Sequence, residues 1–177
     1  MSDDVVADDA PEPVAEPEPE LRCGVPVTWS RGQEVLHPTR DQLLTVVGSL
    51  RDDGFWFCTD LCAVDYSAHG GDRNLPDAVA GERFEVVVNL VNHRDRQRIR
   101  LRVQVPEADP RVPSLFAIHP GTEAPEREAF DLFGITFDGH PDLTRILLPD
   151  EWVGHPLRKD HPVGRIPVQF KAAPAAR

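Results

Sequence analysis

The stretch FEVVVNLVNHRDRQRIRLRVQV (residues 84–105) contains two alternating apolar runs joined by a short polar connection. The alternating positions are Phe84, Val86, Val88 and Leu90 in the first run, and Ile99, Leu101, Val103 and Val105 in the second. A period of two is typical of strands that bury one face, and the polar connection NHRDRQ predicts an antiparallel hairpin. The stretch therefore predicts a sheet with one buried face.

The other face of the second predicted strand carries Arg98, Arg100 and Arg102. A row of arginines on an antiparallel strand is usually the solvated side of a sheet. The alternative is an acidic protein partner, because guanidinium groups pair well with carboxylates. Both interpretations stay open on the sequence alone.

Elements upstream of the hairpin follow from apolar spacing. Residues 25–29 predict a short strand, residues 55–66 predict a strand rich in aromatic and branched residues, and residues 67–82 predict a loop. Between the two strands, residues 37–53 predict a helix that ends before a glycine. The positions at helical spacing are Leu43, Val46, Val47 and Leu50.

Downstream of the hairpin, a short apolar segment at residues 112–118 precedes a second predicted helix. Thr122 is predicted to cap this helix, which runs through Phe133 and stops at Gly134.

The composition divides the chain of 177 residues into three predicted regions. Residues 1–22 form an acidic, proline-rich tail that we expect to be disordered, because it cannot bury enough apolar surface. Residues 23–134 predict a compact two-layer α/β (α+β) domain, whose mixed or antiparallel sheet includes the hairpin. Residues 135–177 hold six prolines without sustained periodicity, and they predict a long extended C-terminal arm.

Charge and hydropathy exclude several classes of protein. Residues 1–20 hold eight acidic residues and no Lys or Arg, so subtracting these from the net charge of −11 leaves only −3 for the rest. That remainder lacks the basic stripe expected of nucleic-acid binding. No run approaches the roughly 18 apolar residues of a membrane helix. The acidic N-terminus does not have the form of a signal peptide, and no phosphate-binding glycine loop occurs. These features indicate a cytoplasmic chain.

Cysteines and histidines do not predict a metal site. Cys58 and Cys62 fall on one predicted strand without further close ligands, and we expect two small apolar thiols in the core. His140, His155 and His161 each precede a proline and match no ligand spacing, which favours roles in turns and interfaces.

The densest charged cluster is Glu126, Arg127, Glu128 and Asp131, and paired carboxylates are a possible acid and base. In a helix, Arg127 and Asp131 share a face and are predicted to form an i,i+4 pair. Glu126 points to the apolar side, about 160° from Glu128, so the two glutamates do not converge on one site. The geometry favours a structural ion pair over catalysis.

The stretch EREAFDLFGITFDGHPDLTRILLPDEWVGHPLRKDHP (residues 126–162) resembles the signature region of the 30 kDa subunit family of complex I, the C subunits of bacterial NADH-quinone oxidoreductases. Weaker agreement in TDLCAVDY, RFEVVVNL and RVPSLFAIHPG extends the likeness to roughly residues 25–170. The chain departs from the family at Ala124 and Pro125, where an aromatic pair is common.

This resemblance implies a non-catalytic scaffold subunit. The complex passes electrons from NADH through FMN and iron–sulfur clusters to a quinone and translocates ions. The 30 kDa subunit lies in the hydrophilic arm, on the cytoplasmic side of the cell membrane, beside the B and D subunits. The cofactors belong to other subunits, and the chain reaches the membrane only through the complex. We therefore expect the isolated chain to bind no metal, flavin or nicotinamide.

The resemblance also selects candidate interface residues and gives the C-terminal arm a role in docking on neighbouring subunits. The candidates are Glu126, Arg127, Glu128, Asp131, Phe133, Gly134, His140, Arg145, Trp152, Arg158, Lys159 and Asp160. Glu126 is predicted to be buried and paired with Arg145 or Arg158, because an unpaired buried carboxylate is costly. We expect the arm to dock on its own domain through about Leu148. From Trp152 onward we expect other subunits to hold it, with Arg158 and Lys159 meeting their acidic groups.

Other functions remain as alternatives. The nearest is the equivalent subunit of a membrane-bound hydrogenase, a formate hydrogenlyase or a deazaflavin-dependent dehydrogenase, which neighbouring genes would distinguish. A second alternative is a free-standing enzyme that uses the carboxylates at residues 126–128, and turnover by the pure chain would test it. A third is a standalone binding module, which the size of the native assembly would distinguish from a subunit.

Overall fold

The computed structural model describes residues 20–162 of the chain. This part folds into two sheets and two α-helices, with a 3-10 turn at Pro120–Thr122. The strands are β1 (Leu21–Arg22), β2 (Val25–Ser30), β3 (Gln33–Leu36), β4 (Phe57–Asp65), β5 (Phe84–Asn92), β6 (Gln97–Val105), β7 (Arg111–Pro113) and β8 (Thr136–Asp138). The helices are α1 (Leu43–Asp52) and α2 (Glu123–Phe133).

The larger sheet has six strands in the order β1-β2-β3-β6-β5-β4. The predicted hairpin forms β5 and β6, whose register places Val88 opposite Leu101. Their alternate apolar side chains are fully buried, as the period of two predicts. All neighbours pair antiparallel except β3 and β6, so the sheet is mixed.

Strand β3 has no counterpart among the sequence-based predictions. The residues between β2 and β3 are Arg31 and Gly32, with φ angles of 53° and 75°. Two successive residues with positive φ make the tight turn that two-residue hairpins prefer, and glycine adopts this conformation without strain. The turn directs β3 into parallel pairing with β6, where Val35 and Leu36 are buried.

Helix α1 begins at residue 43, later than predicted, because residues 39–42 form a turn of their own. The Thr39 amide donates to Gln42 Oε1 at 3.0 Å, and the Gln42 amide donates back to the Thr39 carbonyl at 3.2 Å. The four predicted apolar positions of α1 are all buried. They share one core cluster with the inward side of the six-stranded sheet and with Ala129 and Phe133 of α2.

Helix α2 ends as predicted, at Gly134 in the left-handed conformation with φ 73°, whose amide donates to the Phe130 carbonyl. Its start differs from the prediction, because Thr122 makes no side-chain cap and its hydroxyl instead donates to Glu126. Strands β7 and β8 flank the helix in sequence and pair parallel, with Val112 opposite Phe137. The first residues after Gly134 therefore belong to the folded body.

The N-terminal tail was predicted to extend through residue 22, but residues 20–22 join the sheet. β1 pairs with β2, and the Glu20 carbonyl accepts the Val27 amide at 2.9 Å. The Glu20 carboxylate also accepts the Trp29 indole N–H at 2.8 Å. The other residues of the predicted tail, 1–19, and the end of the arm, 163–177, lie outside the described residues. Within residues 20–162, no helix combines the length and apolar character needed to cross a membrane.

Candidate functional site

The carboxylate of Asp131, on α2, is the centre of the most densely bonded part of residues 126–162. Its Oδ1 accepts a hydrogen bond from Arg145 Nη1 at 2.5 Å. Its Oδ2 accepts the backbone N–H groups of Ile146, Leu147 and Leu148 at 3.1, 2.9 and 2.9 Å. Consecutive N–H groups that converge on one oxygen form an anion-binding nest. The arm therefore folds around a fully buried carboxylate of the helix.

The protonation of Asp131 follows from these bonds. Burial alone would raise the pKa of the carboxyl, but the N–H groups of Leu148 and Leu147 and the guanidinium of Arg145 outweigh it. Together they lower the pKa to about 2. Asp131 is thus ionised at neutral pH and serves as a fixed anchor for the arm.

Arg145 links this anchor to a second part of the arm. Its Nη2 donates to the carbonyls of Trp152 at 3.0 Å and Gly154 at 3.5 Å, while Nη1 holds Asp131. One guanidinium therefore fixes the spacing between α2 and the segment of residues 152–154. Its planar set of donors makes such simultaneous contacts possible.

The end of α2 is covered by the arm. Arg158 Nε donates to the Phe133 carbonyl at 2.6 Å, and His155 Nδ1 lies 2.9 Å from the Asp131 carbonyl. These contacts satisfy carbonyls that a helix end leaves without partners. A methyl group on Gly134 would lie 2.5 Å from His155 Nε2. Glycine is therefore favoured here for two reasons, the positive φ and the close approach of the His155 side chain.

A second buried carboxylate, Asp65 at the end of β4, holds the last described part of the arm. Its Oδ2 accepts the Lys159 backbone N–H at 2.8 Å and Arg83 Nη2 at 3.0 Å. Arg83 Nη2 also pairs with Asp160 at 2.9 Å. Burial would raise the pKa of Asp65, but Arg83 and the N–H groups of Lys159 and Ser67 lower it overall.

The expectation that other subunits chiefly hold the arm from Trp152 onward stays a prediction, although residues 155–160 also bind their own domain. Arg158 and Lys159 were expected to meet acidic groups of neighbours. Within the chain itself, the Arg158 guanidinium caps α2 and the Lys159 backbone N–H binds Asp65, while the contacts of the two residues with neighbouring subunits stay a prediction. The bonds within the chain form because buried carbonyl and carboxylate acceptors on the domain match the donors of residues 155–160. The Lys159 residue is otherwise exposed.

Glu126 is buried, which confirms its predicted helical phase, but its predicted arginine partner is wrong. Its oxygens accept the Ser114 hydroxyl at 2.5 Å, the Leu115 amide at 2.8 Å and the Thr122 hydroxyl at 2.8 Å. Three neutral donors from the segment before α2 satisfy the carboxylate without a cation. Arg145 and Arg158, the expected partners, are used at Asp131 and Phe133.

The predicted pair of Arg127 with Asp131 is also wrong. Arg127 donates to the Thr144 carbonyl and hydroxyl at 3.1 and 2.9 Å, and to the Arg145 carbonyl at 3.0 Å. Asp131 faces the arm because residues 144–148 cross the polar side of α2. This side of the helix is therefore buried as well as its apolar side. Glu128 is exposed whereas Glu126 is buried, so the two glutamates lie on different sides, as predicted.

The histidines of the arm lie in separate positions. His140 Nε2 is 3.0 Å from the Glu123 carbonyl, and the ring of His140 lies 6.3 Å from that of Phe116. His155 contacts the end of α2, and His161 lies near Gly154. In residues 20–162, no group of three or more His, Cys, Asp or Glu side chains has the arrangement of a metal site.

The two cysteines of β4 do not share a face. An irregularity between Cys58 and Asp60 shifts the register, so that Cys58 faces Leu90 but Cys62 faces Val87. A β-bulge reverses the alternation of side chains beyond it. Cys58 packs against the core, whereas Cys62 is exposed, which corrects the prediction of two core thiols. Burial raises the pKa of the Cys58 thiol to about 11.

The sequence-based predictions missed an ion-pair network on the arginine face of the sheet. Glu85 is buried and accepts Arg102 Nε at 2.7 Å, Arg73 Nη2 at 3.0 Å and Gln104 Nε2 at 2.6 Å. These donors outweigh burial and lower its pKa. The register of the hairpin could have predicted this network, because it puts Glu85 opposite Gln104 and diagonal to Arg102. Arg100 binds Asn89, and only Arg98 of the row is exposed.

Comparison with known proteins assigns the family. The model of the family described as "Respiratory-chain NADH dehydrogenase, 30 Kd subunit" matches residues 36–166, about three quarters of the chain. The chain belongs to this family. The match includes both carboxylate anchors and the whole of residues 126–162, and it confirms the resemblance found in the sequence.

Relatives in the 30 kDa subunit family are similar over most of this chain. A protein of Nocardioides sp., named as the C subunit of NADH-quinone oxidoreductase, is 45% identical over 148 residues, covering 82% of this chain and 55% of the relative. One of the same name from Herpetosiphon aurantiacus is 45% identical over 142 residues, covering 78% and 77%. The chain spans little more than half the length of the Nocardioides relative.

Two solved structures share the fold. The trypsin-resistant fragment (1-134) of Nqo5 is 34% identical, with a TM-score of 0.60 over 68% of this chain and 90% of the fragment. A chain of the membrane-bound sulfane sulfur reductase, described as an archaeal respiratory membrane complex, has a TM-score of 0.64 at 22% identity, over 78% of both chains. The first match confirms the predicted α/β (α+β) class with a mixed sheet and a hairpin. The second shows likeness of fold alone.

Proposed function

We propose that this chain is a non-catalytic scaffold subunit in the hydrophilic arm of an ion-translocating NADH-quinone oxidoreductase. The observation that carries the proposal is the family match over residues 36–166. In this role the chain presents residues 126–162 in a fixed conformation to the subunits beside it. The electrons pass from NADH through FMN and iron–sulfur clusters of other subunits to the quinone.

The chemistry of the buried carboxylates supports a structural role. Asp131, Asp65 and Glu85 each accept several fixed donors, and the pKa of each is lowered. A general acid or base at neutral pH needs a pKa near 7 and a proton that can be exchanged with a substrate. Carboxylates held ionised inside the fold instead fix the positions of the elements that surround them. This supports a scaffold better than a separate enzyme.

The outer side of the arm supports a docking role. Leu147, Val153 and Leu157 are 60%, 89% and 46% exposed, although the backbone beside them is fixed by Asp131, Arg145 and the end of α2. A rigid segment that presents large apolar side chains to solvent is typical of a protein–protein interface. We propose that neighbouring subunits, chiefly B and D, cover this side and that the chain thereby reaches the cytoplasmic side of the membrane.

The test compares two substitutions of equally exposed leucines. Leu147→Asp and Leu21→Asp each place a charge at a leucine that is 60% exposed, the first on the arm and the second on β1. Leu147→Asp should reduce co-purification of the tagged chain with the complex from detergent-solubilised membranes, and NADH:quinone activity should fall with it. Leu21→Asp should leave both near the unsubstituted level.

Equal behaviour of the two variants would contradict docking through the arm. Turnover of NADH or quinone by the pure chain would contradict the absence of its own catalytic site. Stoichiometric flavin or iron in the pure, folded chain would contradict the proposal that the cofactors lie in other subunits.

The second candidate is the equivalent subunit of a related respiratory membrane complex. Its support is the likeness of fold to a chain of the sulfane sulfur reductase. The same purification distinguishes the two candidates through the proteins recovered with the chain. Flavin- and NADH-binding subunits support the first candidate, whereas the large subunit of a hydrogenase or of a sulfur reductase supports the second.

A further inference from the structure

An arginine-lined groove of about 560 Å³ lies at one end of the six-stranded sheet. The positive side chains that line it are those of Arg22, Arg31, Arg96 and Arg98. One carboxylate, Glu34, also lines it and is bonded by Arg22. The groove therefore has three more positive than negative groups.

The topology of the sheet brings these arginines together. β3 and β6 are parallel neighbours, so the turns that precede them lie at the same end of the sheet. Arg31 occupies the turn before β3 and Arg96 the residue before β6, both with positive φ. Arg98 follows on β6, one residue before the Ile99 that pairs with Glu34. Three exposed guanidinium groups are thus concentrated on one end of the fold.

These guanidinium groups have no acidic partner in the part of the chain that the structure describes. Within residues 20–162, salt bridges engage Arg22 but none engages Arg31, Arg96 or Arg98. Like charges placed close together repel each other, so an anionic occupant would lower the electrostatic energy of the groove. Planar guanidinium groups are well suited to bind carboxylates.

Glu20, the first described residue, lies beside this groove. The acidic segment that precedes it, residues 1–19, holds seven side-chain carboxylates and neither Lys nor Arg. The next residue, Glu20, already bonds the indole of Trp29, and Trp29 lines the groove. Nineteen residues can extend about 60 Å at roughly 3.3 Å per residue, so the segment has ample length to lie across the groove.

From this juxtaposition we infer that residues 1–19 bind back onto the groove and neutralise Arg31, Arg96 and Arg98. A single exposed ion pair is weak, but several carboxylates on one tethered segment act together. A short tether also gives the segment an effective concentration in the millimolar range, which a separate acidic protein would have to exceed. The groove is a different surface from the arm, and its occupation by the tail does not depend on the proposed function.

The experiment uses the full-length chain and a full-length variant with a neutral tail. The substitutions of the variant are Asp→Asn at Asp3, Asp4, Asp8 and Asp9, and Glu→Gln at Glu12, Glu16 and Glu18. In hydrogen–deuterium exchange, peptides covering residues 29–34 and 94–99 should exchange faster in the variant. Salt of about 500 mM should have the same effect on the unsubstituted chain, because salt screens exposed charges.

A labelled peptide of residues 1–19 provides the competition arm. It should bind the neutral-tail variant at least about ten-fold more tightly than the unsubstituted chain, whose own tail competes for the groove. Adding Arg31→Gln, Arg96→Gln and Arg98→Gln to the variant should abolish binding. The matched Arg→Lys substitutions at the same three positions keep the charge and should retain most of it.

Three outcomes would overturn the inference. The first is equal exchange at residues 29–34 and 94–99 with either tail. The second is equal affinity of the peptide for both chains. The third is protection of the groove that arises only in the assembled complex and persists with the neutral tail, which would assign the groove to an acidic partner protein.

Discussion

Replacing Asp131 by asparagine should release the arm from α2 while leaving the helix itself in place. The asparagine side chain would keep one oxygen for the N–H groups of residues 146–148, but its amide nitrogen would face Arg145 Nη1, and both groups are donors. The lost charge-assisted bond is worth about 1.5–3 kcal/mol, and the guanidinium is left largely buried without its anion. We therefore expect the free energy of unfolding to fall by about 2–3 kcal/mol.

Urea denaturation measures this loss, and Glu128→Gln is the control. Glu128 lies on the same helix and loses the same charge, but it is exposed and should change the free energy of unfolding by less than about 0.5 kcal/mol. The melting temperature of Asp131→Asn should fall by about 4–12 °C in a chain of this size. Hydrogen exchange at residues 144–158 should accelerate more than exchange in the β5–β6 hairpin. Equal denaturation midpoints for the two variants would refute the role of Asp131 as the anchor.

Three further predictions concern single groups in the fold. Glu126→Ala should lower the free energy of unfolding in urea by about 3–4 kcal/mol, because the Leu115 amide and two hydroxyls lose their acceptor. Glu126→Gln should lower it by only about 1 kcal/mol, because the hydroxyls can rotate to suit the amide. Equal losses for the two variants would contradict this account. Gly134→Ala should lower the free energy of unfolding more than Gly139→Ala, because Gly139 also has a positive φ but has open space around it. Limited proteolysis should cut residues 150–160 faster in Gly134→Ala only. The free energy of unfolding should fall as the pH drops from 6.5 towards 4, because burial, and after it Arg102, lowers the pKa of His37 from 6.5 to about 4. In this pH range the unfolded chain binds a proton at His37 that the folded chain does not bind. His37→Gln should reduce this pH dependence in denaturation curves recorded at several pH values.

Local patterns predict the parts of the fold whose partners are near in sequence. The hairpin follows from alternation in two runs that are separated only by a short polar connection, and Gly134 ends α2 because few other residues adopt its φ of 73°. The burial of Glu126 follows from helical phase alone. In each case, the residues that determine the structure are close to one another in the sequence.

Contacts between distant residues could not be predicted in the same way. β3 has only four residues, and although it forms a tight hairpin with β2, its other neighbour in the sheet is β6, which is far from it along the chain. The partners of Glu126 are hydroxyl and amide groups, which give no charge pattern that a sequence would reveal. Asp131 falls on the polar side of a helical wheel, and only the path of residues 144–148 turns it into a buried anchor.

The bond between Lys159 and Asp65 also determines how the fold responds to mechanical tension. A pull on the chain beyond residue 162 would first load the Asp160–Arg83 pair, which transmits force to the start of β5, and the Lys159 amide, which transmits it to the end of β4. β4 pairs with β5 along most of its length, so the load would spread over a ladder of backbone hydrogen bonds. Helix α2, shielded by the cap of Arg158, would carry tension only after these bonds had parted.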